Sequence, residues 1–271
     1  MPSGTTVWRA SADRHPGMAE SSSCSIDAEH DYPPELLPPS RFRGSVVTEQ
    51  LDRRADTTRL HILRAASRQF AHKPYNLVSL DDILAAAEVT KGAMYFHFRS
   101  KHALASAIVE HRAEAGRITF DEALARGLSG LETLIDISYL VAVADVSDDM
   151  TRAGFNLIES IGRTDGLQSR VLGLWVGGFT DIARRAIGEG DVIEATDPEH
   201  IAQLLVSMYL GTRQTSDLDD PERLLTDFEK LWILVLPGFA NPDRLAYLTE
   251  FIRRRTALSI KKAKPLGVDV L

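Results

Sequence analysis

The sequence predicts an all-α protein, and three observations support that prediction. From about residue 51 to the C-terminus, apolar residues recur at helical spacing and no segment alternates as a strand does. Three predicted helices begin with a capping Asp or Asn, then proline and an acid, at residues 197–199, 220–222 and 241–243. Two short helical patterns, over residues 79–87 and 90–98, are joined by a tight turn. The predicted fold is an N-terminal three-helix helix-turn-helix domain plus a C-terminal helical bundle, preceded by a disordered N-terminal extension.

Residues 1–50 are the predicted disordered extension. They are rich in Ser, Pro and acidic residues, and they offer too little apolar surface to offset the entropy lost on ordering. An upstream choice of start codon would explain such a segment, and a tail that binds a partner is the alternative. Cys24 is the single cysteine of the chain and has no second thiol to pair with, so we interpret it as incidental.

Residues 51–112 are the first predicted domain, and their charge differs from that of the rest of the chain. They hold ten Lys and Arg against six Asp and Glu, a net charge of +4. Residues 113–271, the second predicted domain, carry a net charge of −8, and the whole chain carries −7. A basic block on an acidic body is typical of a domain that binds nucleic acid attached to a regulatory domain.

The helix starts within the first domain follow from its capping residues. A first helix is predicted from Asp56 or Thr57 to the break at Pro74. Ser79 is predicted to cap a second helix, with an acid three residues later, and Thr90 a third. A long connecting helix is predicted from residue 101 to about 124. The second and third helices match a helix-turn-helix, whose second helix lies in the DNA major groove.

The segments TRLHILRAASRQFA and SLDDILAAAEVTKGAMYFHFRSKHAL resemble the DNA-binding domain of TetR-family transcriptional regulators. The residues that carry the resemblance are Ala65, Phe70, Ile83, Ala87, Val89, Thr90, Lys91, Gly92, Tyr95, His97, Phe98, Ser100, Lys101 and Leu104. Two positions depart from the family. Glu88 stands where the family usually has Gly, which suits a backbone of positive φ. Leu84 stands where a small residue usually lets the two helices approach closely.

The resemblance and the side-chain chemistry together give a set of candidate DNA-binding residues. They are Arg53, Arg54, Ser79, Thr90, Lys91, Gly92, Tyr95, His97 and Lys101. Thr90 and Lys91, early in the third helix, are the candidates for reading base edges, and Gly92 lets the backbone come close. Tyr95, His97 and Lys101, together with Ser79 at a helix start, are the phosphate candidates, and the two arginines precede the first helix. The alternative for each arginine is a solvated helix face.

The second domain, residues 113–271, is predicted to contain six helices. We place them near residues 129–146, 149–161, 168–188, 198–215, 221–236 and 242–260. Parts of this domain are similar to the γ-butyrolactone-receptor branch of the TetR family, through Arg152-Ala153-Gly154, the Trp175 helix, the Gly188–Asp191 ending and Trp232 before Leu236-Pro237-Gly238. Members of that branch are repressors that a small lactone releases from DNA, which implies the same for this chain.

The Trp175 helix is the predicted wall of a ligand pocket. It presents apolar side chains on one side and is interrupted by Gly173, Gly177 and Gly178, and such glycines often allow a close approach. The candidate ligand-binding residues are Tyr139, Phe155, Leu172, Trp175, Val176 and Phe179. Trp175 and Phe179 as plain core residues are the alternative, although receptors of the branch place a tryptophan in their pocket.

Two late helices carry broad apolar faces that are expected to exceed what one chain can cover. The residues are Ile201, Leu204, Leu205, Met208, Tyr209, Leu224, Leu225, Phe228, Leu231, Trp232 and Val235. In the family the late helices pair across a two-fold axis, so the resemblance implies a homodimer whose two recognition helices read a pseudo-palindrome. Packing within the chain is the alternative.

No pattern in the sequence indicates an enzyme, a metal site or a cofactor. We find no nucleophile elbow, phosphate loop or metal-ligand spacing, and no apolar run long enough to cross a bilayer. The expected protein is a cytoplasmic, ligand-responsive repressor, nucleoid-associated when bound to a double-stranded DNA operator. A regulator of the same fold that senses a lipid-like or fatty-acyl effector, or no small ligand, is the alternative. The basic cluster at residues 253–264 is interpreted as a solvated helix end.

Overall fold

Helices dominate the computed structural model, which describes the backbone of residues 43–163 and 166–267 and the side chains from residue 55 onwards in these ranges. The helices are α1 (Arg43–His72), α2 (Leu80–Ala87), α3 (Lys91–His97), α4 (Lys101–Leu124), α5 (Gly130–Ser147), α6 (Asp149–Ile161), α7 (Leu167–Gly188), α8 (Pro198–Thr215), α9 (Pro221–Val235) and α10 (Leu245–Lys262). Apart from a single bridge between Val192 and Ala240, the described residues contain no β-structure. The all-α prediction is confirmed.

Side-chain caps set the bounds of the helix-turn-helix, as predicted. The Ser79 hydroxyl accepts a hydrogen bond from the backbone N–H of Asp82 at 3.0 Å, and Asp82 accepts one in return from the Ser79 N–H. Hydrogen bonding of the carboxyl by the Ser79 side chain, followed by the bond from the Ser79 N–H, holds the pKa of Asp82 below its ordinary value. Thr90 caps α3 through the N–H of Ala93, and Ser100 caps α4 in the same way. The turn and the orientation of α3 are therefore fixed locally.

Two predicted helix starts differ from the structure. α1 begins at Arg43, and Asp56 and Thr57 lie inside it, because no proline interrupts the chain between Pro39 and Pro74. The last helix begins at Leu245, since Asn241 caps a single 3-10 turn, residues 242–244, ahead of it. Residues 1–42, including Cys24, and the side chains of Arg53 and Arg54 lie outside the described residues.

The two departures from the family pattern have clear positions. Glu88 ends α2 in the left-handed region, with φ 51° and ψ 36°, and is the only non-glycine residue of positive φ among those described. The sequence analysis anticipated this backbone. Leu84 is half-buried and packs on the core of the helix-turn-helix unit.

Replacing Glu88 by glycine is expected to stabilise the protein by about 1 kcal/mol, because glycine removes the clash of Cβ in the left-handed region. Urea unfolding followed by circular dichroism measures the change. Glu122→Gly is the matched control, since Glu122 is exposed within the regular helix α4 and glycine there costs about 1 kcal/mol. A loss of stability in both variants would contradict the left-handed backbone at position 88.

The apolar core of the helix-turn-helix unit, helices α1 to α4, continues into the helical body, helices α5 to α10. Side chains of α1 to α4 pack in one apolar cluster with residues of α6 and the start of α7, among them Ala153, Leu157 and Val171. The predicted domain boundary at residue 112 falls inside the continuous helix α4. α4 packs along α5 and α6, so the recognition unit is joined to the body by a rigid element and a shared core.

The apolar faces of α8 and α9 are largely covered within the chain. The predicted face residues that are buried here are Ile201, Leu205, Tyr209, Leu224, Leu225, Phe228 and Trp232. For these seven residues the expectation that one chain cannot cover them was wrong, because α5, α7 and α10 pack around α8 and α9. Leu204 remains 38% exposed and Leu234 74% exposed on the outer sides of the same helices. Of the helices described, none has the length and hydrophobicity needed to cross a membrane.

Candidate DNA interface and ligand cavity

α3 presents one exposed face and one buried face. Met94 is fully buried, and Phe98, which follows the helix, is nearly so. Lys91 and Tyr95, four residues apart, are exposed side by side, and Gly92 is exposed beside them. The Thr90 hydroxyl is occupied as an acceptor by the helix cap, and its own proton stays available to a ligand. Four of the predicted DNA-binding residues, Thr90, Lys91, Gly92 and Tyr95, therefore lie together at an outward surface.

Three of the predicted phosphate candidates, Lys101, Ser79 and His97, already make contacts within the protein. The Lys101 ammonium donates to the carbonyl oxygens of Tyr75 and Val78, both at 2.9 Å, and lies 4.3 Å from the centre of the Tyr75 ring. An ammonium has three donors, so one remains for a phosphate. The Ser79 side chain is used in its capping box, and the half-buried His97 ring packs edge-on against Phe96 at 5.0 Å.

Phe96, which was not among the predicted DNA-binding residues, is 79% exposed. It lies four residues after Gly92, so it extends the exposed face of α3. An exposed aromatic ring beside candidate base-reading residues can contact thymine methyl groups in a major groove. The sequence did carry a signal for Phe96, because this large apolar residue lies out of phase with the buried Met94 and Phe98.

A cavity of about 850 Å³ opens between α4, α5, α6, α7 and α8. Phe155, Trp175 and Phe179, three of the six predicted ligand-binding residues, line it. Other lining residues that the prediction lacked include Arg112, Phe120, Ser138, Val141, Gly178, Leu205 and Tyr209. The volume is that of a small-molecule site, and most of the lining is apolar.

The other three predicted residues lie elsewhere. Tyr139 is buried in the body core, where its hydroxyl pairs with Thr256 at 2.7 Å and its ring packs on Phe228. Burial raises the pKa of the Tyr139 phenol. Leu172 lines a second cavity of about 310 Å³, and Val176 lines neither of these two cavities.

The side of α7 that faces the cavity is rotated about the helix axis from the side that was predicted. At 100° per residue, Val171, Leu174 and Gly178 share the cavity side with Trp175, whereas Val176 lies towards the far edge of the predicted face. Gly178 is a close approach as predicted, because a Cβ there would lie 3.0 Å from the Phe120 ring. Gly173 and Gly177 have nothing within 4 Å of such an atom.

A buried ionic network lies behind the cavity. Arg213 donates to the Asp145 carboxylate at 2.9 Å and to Glu159 at 2.8 Å. The Tyr209 hydroxyl also donates to Asp145, and burial together with this carboxylate raises the pKa of Tyr209 well above its ordinary value. The guanidinium of Arg213 lies 5.0 Å from the centre of the Phe155 ring, on the cavity wall.

Asn156 connects this network to the helix-turn-helix unit. Its amide nitrogen donates to the carbonyl oxygens of Phe70 at 3.0 Å and Ala71 at 3.2 Å, at the end of α1. Its amide oxygen accepts from Arg213 at 3.0 Å. Because Phe155 lines the cavity and Asn156 is its neighbour, one turn of α6 contacts the cavity, the ionic network and α1.

A helix-turn-helix unit with an exposed recognition face, joined through α4 and α6 to a cavity-bearing helical body, defines the class of helix-turn-helix DNA-binding regulators. The family model for bacterial regulatory proteins of the tetR family matches residues 62–108. The A-factor receptor protein of Streptomyces griseus is 30% identical over 197 residues, which are 72% of this chain and 68% of the relative. The chain belongs to the TetR family of transcriptional regulators and resembles its γ-butyrolactone-receptor branch.

Solved structures agree with this assignment. A crystal structure of a γ-butyrolactone receptor, an ArpA-like protein, superposes with a TM-score of 0.66 at 29% identity, over 76% of this chain and 99% of that one. CprB of Streptomyces coelicolor, solved in complex with its biological operator sequence, gives a TM-score of 0.64 at 27% identity, over 77% of this chain and 99% of CprB.

Proposed function

We propose that the protein is a homodimeric transcriptional repressor that a small apolar effector, such as a γ-butyrolactone-like molecule, releases from a pseudo-palindromic operator. The observation that most supports this is the double role of α4. Its first turn holds the loop before α2 through Lys101, and its residues from Glu110 to Asp121 form one wall of the cavity. A ligand that displaces α4 would therefore also displace the recognition unit. The protein would act in the cytoplasm, on the nucleoid when bound to DNA.

The proposed release is a shift between two conformations. The ligand would bind the released conformation more tightly than the DNA-bound one, and the ratio of the two affinities would limit how far operator binding falls. Asn156 gives α6 a second path to α1, since its amide holds the end of that helix. The large cavity favours a ligand-sensing regulator over one that responds to no small molecule.

Two copies would be needed to read a pseudo-palindrome. We propose that the outer sides of α8 and α9, where Leu204 and Leu234 are exposed, form the contact between the copies. The dimer would present two α3 helices at successive major grooves, about 34 Å apart. Light scattering coupled to size exclusion measures the mass, and a monomer at micromolar concentration would contradict the proposed dimer.

Fluorescence anisotropy on DNA from upstream of the protein's own gene, at two salt concentrations, tests the proposal. Tight binding that weakens with salt and is relieved by a member of a γ-butyrolactone panel is the expected result. Operator binding that no lactone relieves would agree with a DNA-binding regulator and would reject γ-butyrolactone-like effectors. Absence of specific binding would reject the proposed function.

Substitutions on α3 are expected to separate two kinds of DNA contact. Tyr95→Ala should weaken binding to all sequences by a similar factor, because it removes a phosphate contact. Lys91→Ala should reduce discrimination between operator and mutated operators by about 1–3 kcal/mol, because it removes a base contact. Arg184→Ala, exposed on α7, is the control and should leave both unchanged. Unaltered operator affinity in both α3 variants would contradict the interface.

A further inference from the structure

Arg112 on α4 is a buried cation with no hydrogen-bond acceptor or ion-pair partner among the residues that the structure describes. It is 7% exposed and lines the large cavity, yet it makes no hydrogen bond and no ion pair with any described residue. Its Nε atom is buried without an acceptor, and its guanidinium lies 5.8 Å from the centre of the Phe155 ring. Burial lowers the pKa of this guanidinium from its ordinary value. A buried charge in this state costs stability, so its presence calls for a compensating group.

Because two glycines lack side chains, there is room between them for Arg112. A Cβ at Gly116, one turn further along α4, would lie 2.7 Å from Nη1 of Arg112. A Cβ at Gly154 on α6 would lie 2.9 Å from Cγ of the same side chain. The stem and the head group of Arg112 are therefore both set in a groove that larger residues would fill, which fixes the guanidinium at the cavity.

The carboxylates that line the cavity make no ion pair with Arg112, and each lies with another arginine. Glu110 is 3.6 Å from Arg170, and Glu114 and Asp121 are both 2.7 Å from Arg117. Asp145, which acts on Arg112 from behind the cavity, is bonded to Arg213 and to the Tyr209 hydroxyl.

Arg112 also holds the charged hydrogen-bond donors of the buried lining, and the indole N–H of the half-buried Trp175 is a neutral donor beside them. The Ser138 hydroxyl donates to the Leu134 carbonyl oxygen at 2.7 Å, and Tyr209 donates to Asp145. The rest of the inner wall is mostly apolar, formed by residues such as Phe120, Val141, Phe179 and Leu205. The cavity thus combines one cationic donor set with a large apolar surface.

We infer that the effector is an amphipathic carboxylate, whose carboxylate group binds Arg112 and whose apolar body fills the space between Phe120, Trp175 and Phe179. A guanidinium forms two parallel hydrogen bonds to a carboxylate, and such charged bonds are about twice as strong as neutral ones. The carbonyl oxygen of a lactone accepts a hydrogen bond but leaves the charge of Arg112 uncompensated. This inference rests on the proposed function, a repressor released by a small ligand, and replaces the neutral lactone-like effector at its site by a carboxylate.

Matched pairs of ligands test the inference by isothermal titration calorimetry on the full chain without DNA. Decanoate and methyl decanoate differ in the charge of the head group, and 4-hydroxydecanoate is γ-decalactone opened by one water with the loss of one proton. The expected result is at least about tenfold tighter binding of each carboxylate than of its neutral partner. Equal affinities within each pair, or preference for the neutral member, would overturn the inference.

Variants locate the effect at Arg112. Arg112→Met is expected to weaken decanoate binding about 10- to 100-fold and to leave methyl decanoate within about threefold. Arg112→Lys keeps the charge but loses the two parallel donors of a guanidinium. Its affinity for decanoate should therefore lie between those of the unsubstituted protein and Arg112→Met. Arg184→Met is the matched control, because this exposed arginine on α7 pairs with Asp181 and does not line the cavity, so both affinities should stay unchanged. An equal loss of affinity for decanoate and for methyl decanoate in Arg112→Met would indicate that Arg112 only shapes the cavity, and would overturn the inference.

Thermal unfolding without ligand gives a second readout. Arg112→Met is expected to raise Tm by about 2–4 °C, since methionine fills the groove without an unpaired charge. A clear fall in Tm would indicate a structural role for Arg112 and contradict the inference.

Operator binding relieved by lactones but not by carboxylates would reject the carboxylate and keep the proposed function. Loss of operator binding altogether would reject the proposed function, while calorimetry would still decide on the carboxylate.

Discussion

Replacing Arg213 by methionine is expected to lower the free energy of unfolding by about 3–5 kcal/mol, a fall in Tm of roughly 6–20 °C. Asp145 is fully buried, and Arg213 is its charged partner at 2.9 Å. Without the guanidinium, the Asp145 carboxylate would keep only the Tyr209 hydroxyl as a partner, and the cost of burying its charge would no longer be offset. Scanning calorimetry and urea unfolding measure the loss.

Two further variants show whether the buried charge is the cause. Arg184→Met removes the exposed pair with Asp181 and should change stability by no more than about 0.5 kcal/mol. Adding Asp145→Asn to Arg213→Met should restore a large part of the lost stability, because the amide carries no charge and still accepts from Tyr209. A loss below about 1 kcal/mol in Arg213→Met would contradict the expected dependence of Asp145 on Arg213.

Gly130→Ala is expected to destabilise the protein by about 3 kcal/mol, near the upper end of the range for overpacking. A Cβ at Gly130 would lie 2.5 Å from the backbone nitrogen and 2.6 Å from the Cα of Ala186, where α5 meets α7. Backbone atoms cannot rotate away as a side chain can, so one helix must shift. Since α5 and α7 both line the cavity, effector binding should weaken as well.

The same substitution at Gly173 is the control for this prediction. Gly173 lies in α7, and a Cβ there meets nothing within 4 Å. Gly173→Ala should therefore stabilise the protein by up to about 1 kcal/mol, through helix propensity alone. Urea midpoints compare the two variants directly, and a stabilisation by both would show that α5 and α7 adjust to the methyl group without strain.

The local features of the fold were predictable from the sequence because their determinants are adjacent in the chain. Ser79 and Thr90 cap helices within three residues of their own positions, and proline marks the first residue of α8 and α9. The positive φ of Glu88 was likewise a property of one turn. These interactions form over a single turn of helix, so composition and spacing suffice to place them.

The cavity was only partly predictable, since its lining comes from five helices that are distant in the chain. Periodicity marks which face of a helix is apolar but does not tell whether that face meets core or open space. Tyr139 and Tyr209 both lie on apolar faces, yet only Tyr209 lines the cavity. Arg112 had one usable signal: it follows Leu104 and Ile108 at four-residue spacing, so a charge falls in phase with a buried stripe.

The continuity of the apolar core across the predicted domain boundary bears on how the protein folds and how it can be divided. α6 and the start of α7 cover the inner side of the recognition unit, and Asn156 satisfies carbonyl groups at the end of α1. A fragment cut at residue 112 would expose that surface and end in mid-helix. We therefore expect that the helix-turn-helix unit does not fold on its own, and that helices α1 to α10 melt in one cooperative transition.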